Sequence, residues 1–430
     1  MKNIFRVIGF GLAVVAFSAT NSFAQNPCED TYEVKTAALE KFKTNNTKPI
    51  TIEKLKVALQ AGNDFNTRYK DCPDEKPIVE YITKKLPPIE AYIKETERNI
   101  KFDNGVKNKV WADAFSAGKE IIAANSDKPI SLNVALALAS IGFDRAQAKD
   151  DTFNNDTIAM AELAIKKMDS GIISEDYGLS YGTPDTSYVY KTTKYPDGKQ
   201  NALGWMNYTI GYIKYSRQSK QKDALPYLYT AATKYNSATK NIPDLFVSLG
   251  VYYYGELQKI DTKRVELEKA NGNKETDDSK ALWDLEKGYF ERAIDAYARA
   301  YKIATANVAT AKPDKKPKLT EYKDGLYKDL QGLYKDRFTK LDGLDAYIAA
   351  QTSKPLPDPT SEVMPIKEVV PTTTTTTSTT TTKPVTTTTT TTTTKPTTTT
   401  TTTNPTTTTK PSSSTTTPKK PTKPKKKSGR

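Results

Sequence analysis

The chain has 430 residues, a net charge of +14, two cysteines and no histidine. The lack of histidine excludes Ser-His-Asp triads, Cys-His pairs and histidine metal ligands, and two cysteines are too few for an all-cysteine zinc site. The positive charge is concentrated at the two ends of the chain, since residues 25–370 carry a net charge of only +2. This central region therefore lacks the excess of basic residues that binding to nucleic acid requires.

The N-terminus has the pattern of a cleaved secretory signal peptide. Two basic residues precede the apolar run Val7 to Phe17, and Ser22 and Ala24 place small side chains just before a cleavage site at Gln25. A transmembrane anchor is the alternative, but it needs about 20 apolar residues. We therefore expect residues 1–24 to be a signal peptide, and the chain to be exported to the periplasm, cell surface or extracellular space without a membrane span.

The two cysteines lie in the segment that follows the signal peptide. In an oxidising compartment Cys28 and Cys72 are expected to form a disulfide, with two free thiols as the alternative. The same segment, residues 25–109, contains two candidate helices, Tyr32 to Phe42 and Ile52 to Tyr69. We expect an N-terminal helical segment that the disulfide ties together.

Residues 110–350 show repeated helical periodicity and little strand alternation. Leu282, Leu285, Phe290 and Ile294, for example, follow steps of three to five residues and place one apolar face on a helix. The pattern predicts an all-α fold of antiparallel helical hairpins. A single hairpin cannot bury its apolar face alone, so neighbouring hairpins are expected to stack.

Three of these helices carry an aliphatic residue followed by glycine, and the helices that follow them carry spaced small and large side chains. The packing residues predicted from this pattern are Gly142; Gly211 with Ala224, Leu228 and Ala231; and Gly250 and Tyr253 with Ala293, Tyr297 and Ala300. Glycine and alanine allow two helices to approach closely, while the larger residue fills the gap beside them.

This pattern resembles the tetratricopeptide repeat. In that family Leu-Gly-x2-Tyr lies on the first helix of each hairpin and Ala-x3-Phe-x2-Ala on the second, and Leu249-Gly250-x2-Tyr253 followed by Ala293, Tyr297 and Ala300 is the best match here. The resemblance implies a solenoid of stacked hairpins whose concave surface binds a protein or peptide. Another α-helical bundle is the alternative.

Residues 170–200 interrupt the helical pattern. They are rich in tyrosine, glycine and threonine, and we expect a long loop across a face of the helical region. Aromatic rings with polar tips suit the recognition of peptides or sugar faces, so the loop tyrosines are candidate binding residues: Tyr177, Tyr181, Tyr188 and Tyr190. A second aromatic set has helical spacing: Trp205, Tyr208, Tyr212 and Tyr215. The first three of these are expected to pack between helical hairpins, and ligand recognition is the alternative.

The C-terminal part, residues 351–430, is expected to be a disordered tail rich in threonine, proline and lysine. From residue 371 onward it contains a single apolar side chain other than proline, Val385, so it cannot offset the entropy cost of folding. The last stretch, Lys419 to Arg430, is polybasic and is a candidate tether to an anionic cell-surface polymer. A solubilising tail without a partner is the alternative.

Local catalytic and cofactor motifs are lacking in the sequence. It has no phosphate loop, no dinucleotide-binding glycine pattern and no calcium loop, and no acidic residue stands in an apolar setting that would raise its pKa. We expect a non-catalytic scaffold, without cofactor or metal, that binds a protein or peptide partner and uses its tail as a stalk or tether. The alternatives are a carbohydrate- or cell-wall-binding protein that uses the loop tyrosines and the basic tail, and a glycoside hydrolase with paired acids.

Overall fold

The structure is a computed structural model that describes residues 26–180 and 187–368. Within these ranges the chain is mostly helical, which confirms the predicted all-α class. The α-helices are α1 (Tyr32–Asn45), α2 (Ile52–Tyr69), α3 (Lys76–Lys107), α4 (Trp111–Ala124), α5 (Pro129–Gln147), α6 (Asn154–Asp169), α7 (Gly198–Tyr212), α8 (Gln221–Thr233), α9 (Pro243–Ala270), α10 (Asp277–Thr310), α11 (Lys316–Phe338) and α12 (Leu344–Thr352). One short hairpin, β1 (Gly178–Leu179) with β2 (Tyr188–Val189), lies between α6 and α7.

Local sequence sets several of the helix starts. Thr276 and Ser279 form a reciprocal capping box at the start of α10, in which each side chain bonds the other residue's backbone amide. The Asp197 carboxylate accepts a hydrogen bond of 3.1 Å from the Gln200 amide at the start of α7. Pro129 and Pro243 stand at the first positions of α5 and α9, where a missing amide hydrogen costs nothing.

The helices pack mainly on their neighbours in the sequence and form three hydrophobic clusters. The first lies between α1, α2 and the N-terminal part of α3, with Phe42, Phe65 and Ile82 at its centre. The second begins at Phe102 and Val106, near the end of α3, and continues through α4 to α7. The third extends from α7 to α12. The long helix α3 therefore links the N-terminal segment to the rest of the helical region.

The Cys28–Cys72 disulfide is present and confirms the predicted pairing. Polar contacts surround it, because Asp30 forms an ion pair of 2.7 Å with Arg68 and accepts a hydrogen bond of 2.8 Å from the Tyr69 hydroxyl. These contacts hold the segment that precedes α1 against the end of α2. Within the two described ranges, no helix is long and apolar enough to cross a membrane.

The glycines singled out in the sequence lie at close helix–helix contacts. A side chain at Gly142, on α5, would lie 2.7 Å from Cβ of Thr157 on α6 and nearer still to its hydroxyl group. A side chain at Gly211 would lie 2.7 Å from Leu228 on α8, and one at Gly250 would lie 2.6 Å from the Tyr297 ring. In each case the neighbouring helix occupies the space that a Cβ atom would need.

The other predicted packing residues join the third cluster around these contacts. Leu228 and Tyr253 are buried, and Tyr297 is half-buried. The four predicted alanines, on α8 and α10, are fully buried: Ala224, Ala231, Ala293 and Ala300. These residues lie where α7 packs on α8 and where α9 packs on α10. The Gly142 contact differs from the sequence interpretation, since its partner is Thr157 and the nearby Ala159 is exposed.

Residues 353–368, which we call the strap, require a correction to the predicted tail. They have no regular secondary structure, but they pack over α10, with Pro359 and Val363 buried. The prediction of a disordered chain from residue 351 is therefore wrong for the strap, because these two apolar anchors and hydrogen bonds to α10 order it. The rest of the predicted tail, residues 369–430, and the predicted signal peptide lie outside the described residues.

Candidate ligand-binding cleft

The segment between α6 and α7 carries regular structure that the sequence did not reveal. Strands β1 and β2 pair antiparallel, with Gly178 opposite Val189 and Leu179 opposite Tyr188. Gly178 has a φ of +151°, and a Cβ atom there would overlap the Tyr188 carbonyl oxygen, so this position requires glycine. The segment predicted as a loop thus contains a short hairpin, and Tyr188 lies on its second strand.

Two asparagines attach the hairpin to the helices beneath it. The Asn133 side-chain oxygen, on α5, accepts hydrogen bonds from the Ser174 hydroxyl at 2.6 Å and the Gly178 amide at 3.2 Å. Asn201, on α7, donates to the Tyr190 carbonyl at 2.7 Å. The hairpin therefore spans α5 and α7.

A cleft of about 550 Å³ opens between α5, α7 and the hairpin. The lining residues of α5 and of α7 recur at helical spacing, so each helix contributes one face to the cleft. The main lining residues are Ser140, Phe143, Asp144 and Gln147 on α5; Asn201, Trp205 and Thr209 on α7; and Tyr188, Tyr190, Lys194 and Tyr195 in and after the hairpin. The cleft thus combines aromatic walls with hydroxyl, amide and charged groups.

Aromatic contacts fix the walls of the cleft. The Phe143 and Trp205 rings meet edge to face, with centroids 6.1 Å apart, and Tyr208 supports both rings from below at 5.6 and 5.9 Å. The Tyr190 hydroxyl forms a hydrogen bond with Ser140 on α5. Side chains held in this way lose little further conformational entropy when a ligand binds.

Desolvation changes the acid–base properties of several groups that line the cleft, among them Asp144 and Tyr188. Desolvation raises the pKa of Asp144, and the neighbouring Arg145 charge only partly opposes this. Part of the Asp144 side chain remains open to solvent in the cleft, where a ligand can reach it. Desolvation also raises the pKa of Tyr188 to about 12, and the Asp144 charge contributes to this.

The expectation that no acidic residue would have a raised pKa is therefore wrong. Asp144 is one exception, and burial also raises the pKa values of Asp295 and Glu286. The last two are paired with arginines, since Arg299 lies 3.1 Å from Asp295 and Arg264 lies 2.7 Å from Glu286. They lie outside the cleft, so Asp144 is the acidic group of interest there.

The tyrosine pKa shifts predict a loss of stability at alkaline pH. Folding raises the pKa of Tyr188 from 10.0 to about 12, so the protonated phenol stabilises the folded chain fully below about pH 10. This contribution is lost as the pH rises from about 10 to about 12, because the unfolded chain ionises first. We expect the urea midpoint to fall in this interval. Tyr188→Phe, which cannot ionise, should reduce the fall, and an equal fall in both proteins would contradict the assignment.

The structure describes three of the four predicted binding tyrosines and places them in two different environments. Tyr188 and Tyr190 line the cleft, whereas Tyr177 is buried in the second cluster beneath the hairpin and Tyr181 lies outside the described residues. Sequence reasoning missed Asp144 and favoured packing over ligand binding for Trp205. The spacing of Asn201, Trp205 and Thr209 along one face of α7 was the available signal for the second wall.

The comparisons with known proteins give no family for this chain. No protein-family model matches it, and neither a curated protein nor a solved structure shows significant similarity to it.

Proposed function

We propose that the protein is an exported, non-catalytic helical scaffold that mediates protein–protein interaction, with the cleft as the recognition site for a segment of its partner. The observation that supports this most is the cleft itself, in which pre-positioned aromatic side chains surround polar groups in a volume of about 550 Å³. Asp144 and Lys194 carry opposite charges, so the cleft suits a ligand without a large net charge.

We further propose that the helices form a tetratricopeptide-like array of hairpins. The support is the close contact of Gly211 with Leu228 between α7 and α8, and of Gly250 with Tyr297 between α9 and α10. These contacts use the residue types of the repeat pattern at equivalent places. The long segment between Gly250 and Ala293 extends both helices of the second hairpin, so it preserves the pairing.

Export is part of the same proposal. An intramolecular disulfide fits an oxidising compartment, in which such bonds form and persist. The N-terminal pattern of a secretory signal supports the same destination. Residues 371–430 would then serve as an extended stalk, or tether the protein through the basic stretch at its end.

Peptide display tests the binding proposal. We expect peptides selected on the full-length chain to lose at least about tenfold in affinity for Trp205→Ala and Tyr188→Ala, because buried aromatic anchors dominate interface energetics. Isothermal titration of each variant measures this. Tyr92→Ala is the matched control, since Tyr92 is an aromatic residue 51% exposed on α3, outside the cleft. Selected peptides that bind both cleft variants as tightly as the unchanged chain would refute the proposal.

Carbohydrate binding is the second candidate, and one observation favours it. The aromatic wall formed by Tyr188 and Trp205 stands beside the exposed polar side chains of Asp144, Gln147 and Lys194, a combination that suits a sugar ring with its hydroxyl groups. Fluorescence titration with soluble cell-wall oligosaccharides distinguishes the two candidates. Saturable binding that is lost in Tyr188→Ala, together with failure to select any peptide, would replace the first candidate by the second.

A further inference from the structure

The strap is bound to α10 largely through its backbone. The Arg299 guanidinium donates a hydrogen bond of 2.8 Å to the Lys354 carbonyl, and Arg292 donates one of 3.5 Å to the Asp358 carbonyl. The Ile366 amide donates a hydrogen bond of 2.8 Å to a backbone carbonyl of α10. Contacts of this kind recognise an extended chain and depend little on its side chains.

Two apolar side chains anchor the strap. Pro359 and Val363 are buried, and Val363 is only 8% exposed within the third cluster. Gly288, on α10, allows the backbone to come close, because a Cβ atom there would collide with the Met364 carbonyl oxygen. The surface of α10 is thus shaped to accept a backbone at this point.

Charge adds to the fit between the strap and its groove. The strap carries three acidic residues and two lysines. The groove presents Arg292, Arg299 and Arg337, and the last two are also paired with acidic residues of α10. The Arg337 guanidinium lies 2.8 Å from the Glu368 carboxylate and holds the pKa of that carboxyl below its usual value. An acidic side chain at the position of Glu368 is therefore favoured over a basic one.

The groove is wider than the strap that occupies it. A cavity of about 260 Å³ remains on one side, between α10, α12 and the strap. A second cavity of about 630 Å³ lies on the other side, where Tyr252, Tyr253, Tyr289 and Pro226 face strap residues 359–363. Tyrosine-lined grooves of this kind bind proline-containing peptides in extended conformation. Space and chemistry therefore remain for a ligand bulkier than the strap.

We propose that this groove over α10 is a receptor site for an extended, acidic, proline-containing peptide of a partner protein, and that the strap occupies it as an intramolecular competitor. The site is separate from the cleft between α5 and α7, so this proposal does not depend on the function proposed above. Because the strap is covalently attached, its effective concentration is high, and a free peptide binds well only when the strap is weakened.

A competition experiment on the full-length chain tests the proposal. The probe is a fluorescent peptide with the sequence of residues 355–368, and its binding is measured by fluorescence anisotropy. Val363→Asp places a charge at the buried anchor, so the chain that carries it should bind the probe at least about tenfold more tightly than the unchanged chain. Val57→Asp is the matched control, because it makes the same change at a residue that is 39% exposed on α2, outside the groove, and it should leave probe binding unchanged. A probe that itself carries the Val363→Asp change should not bind.

Hydrogen exchange of residues 353–368 reports whether Val363→Asp has released the strap. A released strap without tighter probe binding would overturn the proposal. If that variant fails to fold, a protease site inserted at the exposed Ser353–Lys354 bond gives an independent result. After cleavage the C-terminal fragment should remain bound and should be displaced by excess probe. A fragment that separates at micromolar concentration would equally overturn the proposal.

Discussion

Removal of the Cys28–Cys72 disulfide is expected to destabilise the N-terminal helices by about 4 kcal/mol, the largest effect we predict for any single change. The two cysteines are separated by 44 positions, and the bond removes the loop-closure entropy of that segment from the unfolded chain. Hydrogen exchange of α1 and α2 in Cys28→Ala/Cys72→Ala measures the effect. Their amide protection should fall by about a thousandfold.

The reduced form of the unchanged chain is the matched control for this variant. It should lose the same protection in α1 and α2, and adding reductant to the double variant should cause no further loss. Protection in α9 and α10, which belong to the third cluster, should stay unchanged. A loss below about 1 kcal/mol in α1 and α2 would show that polar contacts such as Asp30–Arg68 hold this segment without the bond.

The second large effect is expected for Gly142→Ala. The added methyl group would overlap Thr157 on α6, so α5 and α6 must separate, and overpacking of this kind destabilises a core by about 1–3 kcal/mol. The midpoint and slope of urea unfolding measure this loss. Thr157→Ala in the same chain should restore part of the stability, since it removes the hydroxyl and methyl groups that the new side chain meets.

Gly255→Ala is the control for this prediction because it makes the same chemical change in the middle of α9. Apart from its chain neighbours and the backbone of its own helix, nothing lies within 4 Å of a Cβ built at Gly255, so alanine should stabilise the helix by about 0.5–1 kcal/mol through its higher helix propensity. The two substitutions should therefore change stability in opposite directions. A stabilising effect of Gly142→Ala would contradict the close contact between α5 and α6.

Helical periodicity predicted much of the fold because it reports which face of each helix is buried. The predicted helix Ile52 to Tyr69 agrees with α2, and Gly211 lies against Leu228 on the following helix. Periodicity does not identify the residue that faces a given glycine across two helices, which is why Thr157 was missed as the partner of Gly142. The strap was missed because its proline-rich composition is similar to that of the following tail, and only two of its residues are buried.

The cleft was only half predictable for a similar reason. The loop tyrosines stood out by composition, and two of them line the cleft. The strands of the hairpin are two residues long, too short for strand alternation to be visible in the sequence. Asp144 has the sequence context of a helix surface residue, and its pKa is raised by walls that include residues more than 40 positions later. Such an environment exists only once the chain has folded.

Site-specific photo-crosslinking in the cells that make the protein tests the account most directly. Gln147, which lines the cleft, is replaced by a photoreactive phenylalanine analogue, and Gln258, exposed on α9 outside the cleft, is replaced as the control. We predict one defined crosslinked protein from position 147, none from position 258, and loss of the product when Trp205→Ala is added. Equal crosslinking from both positions, or a product that persists with Trp205→Ala, would contradict the assignment of the cleft as a protein-binding site.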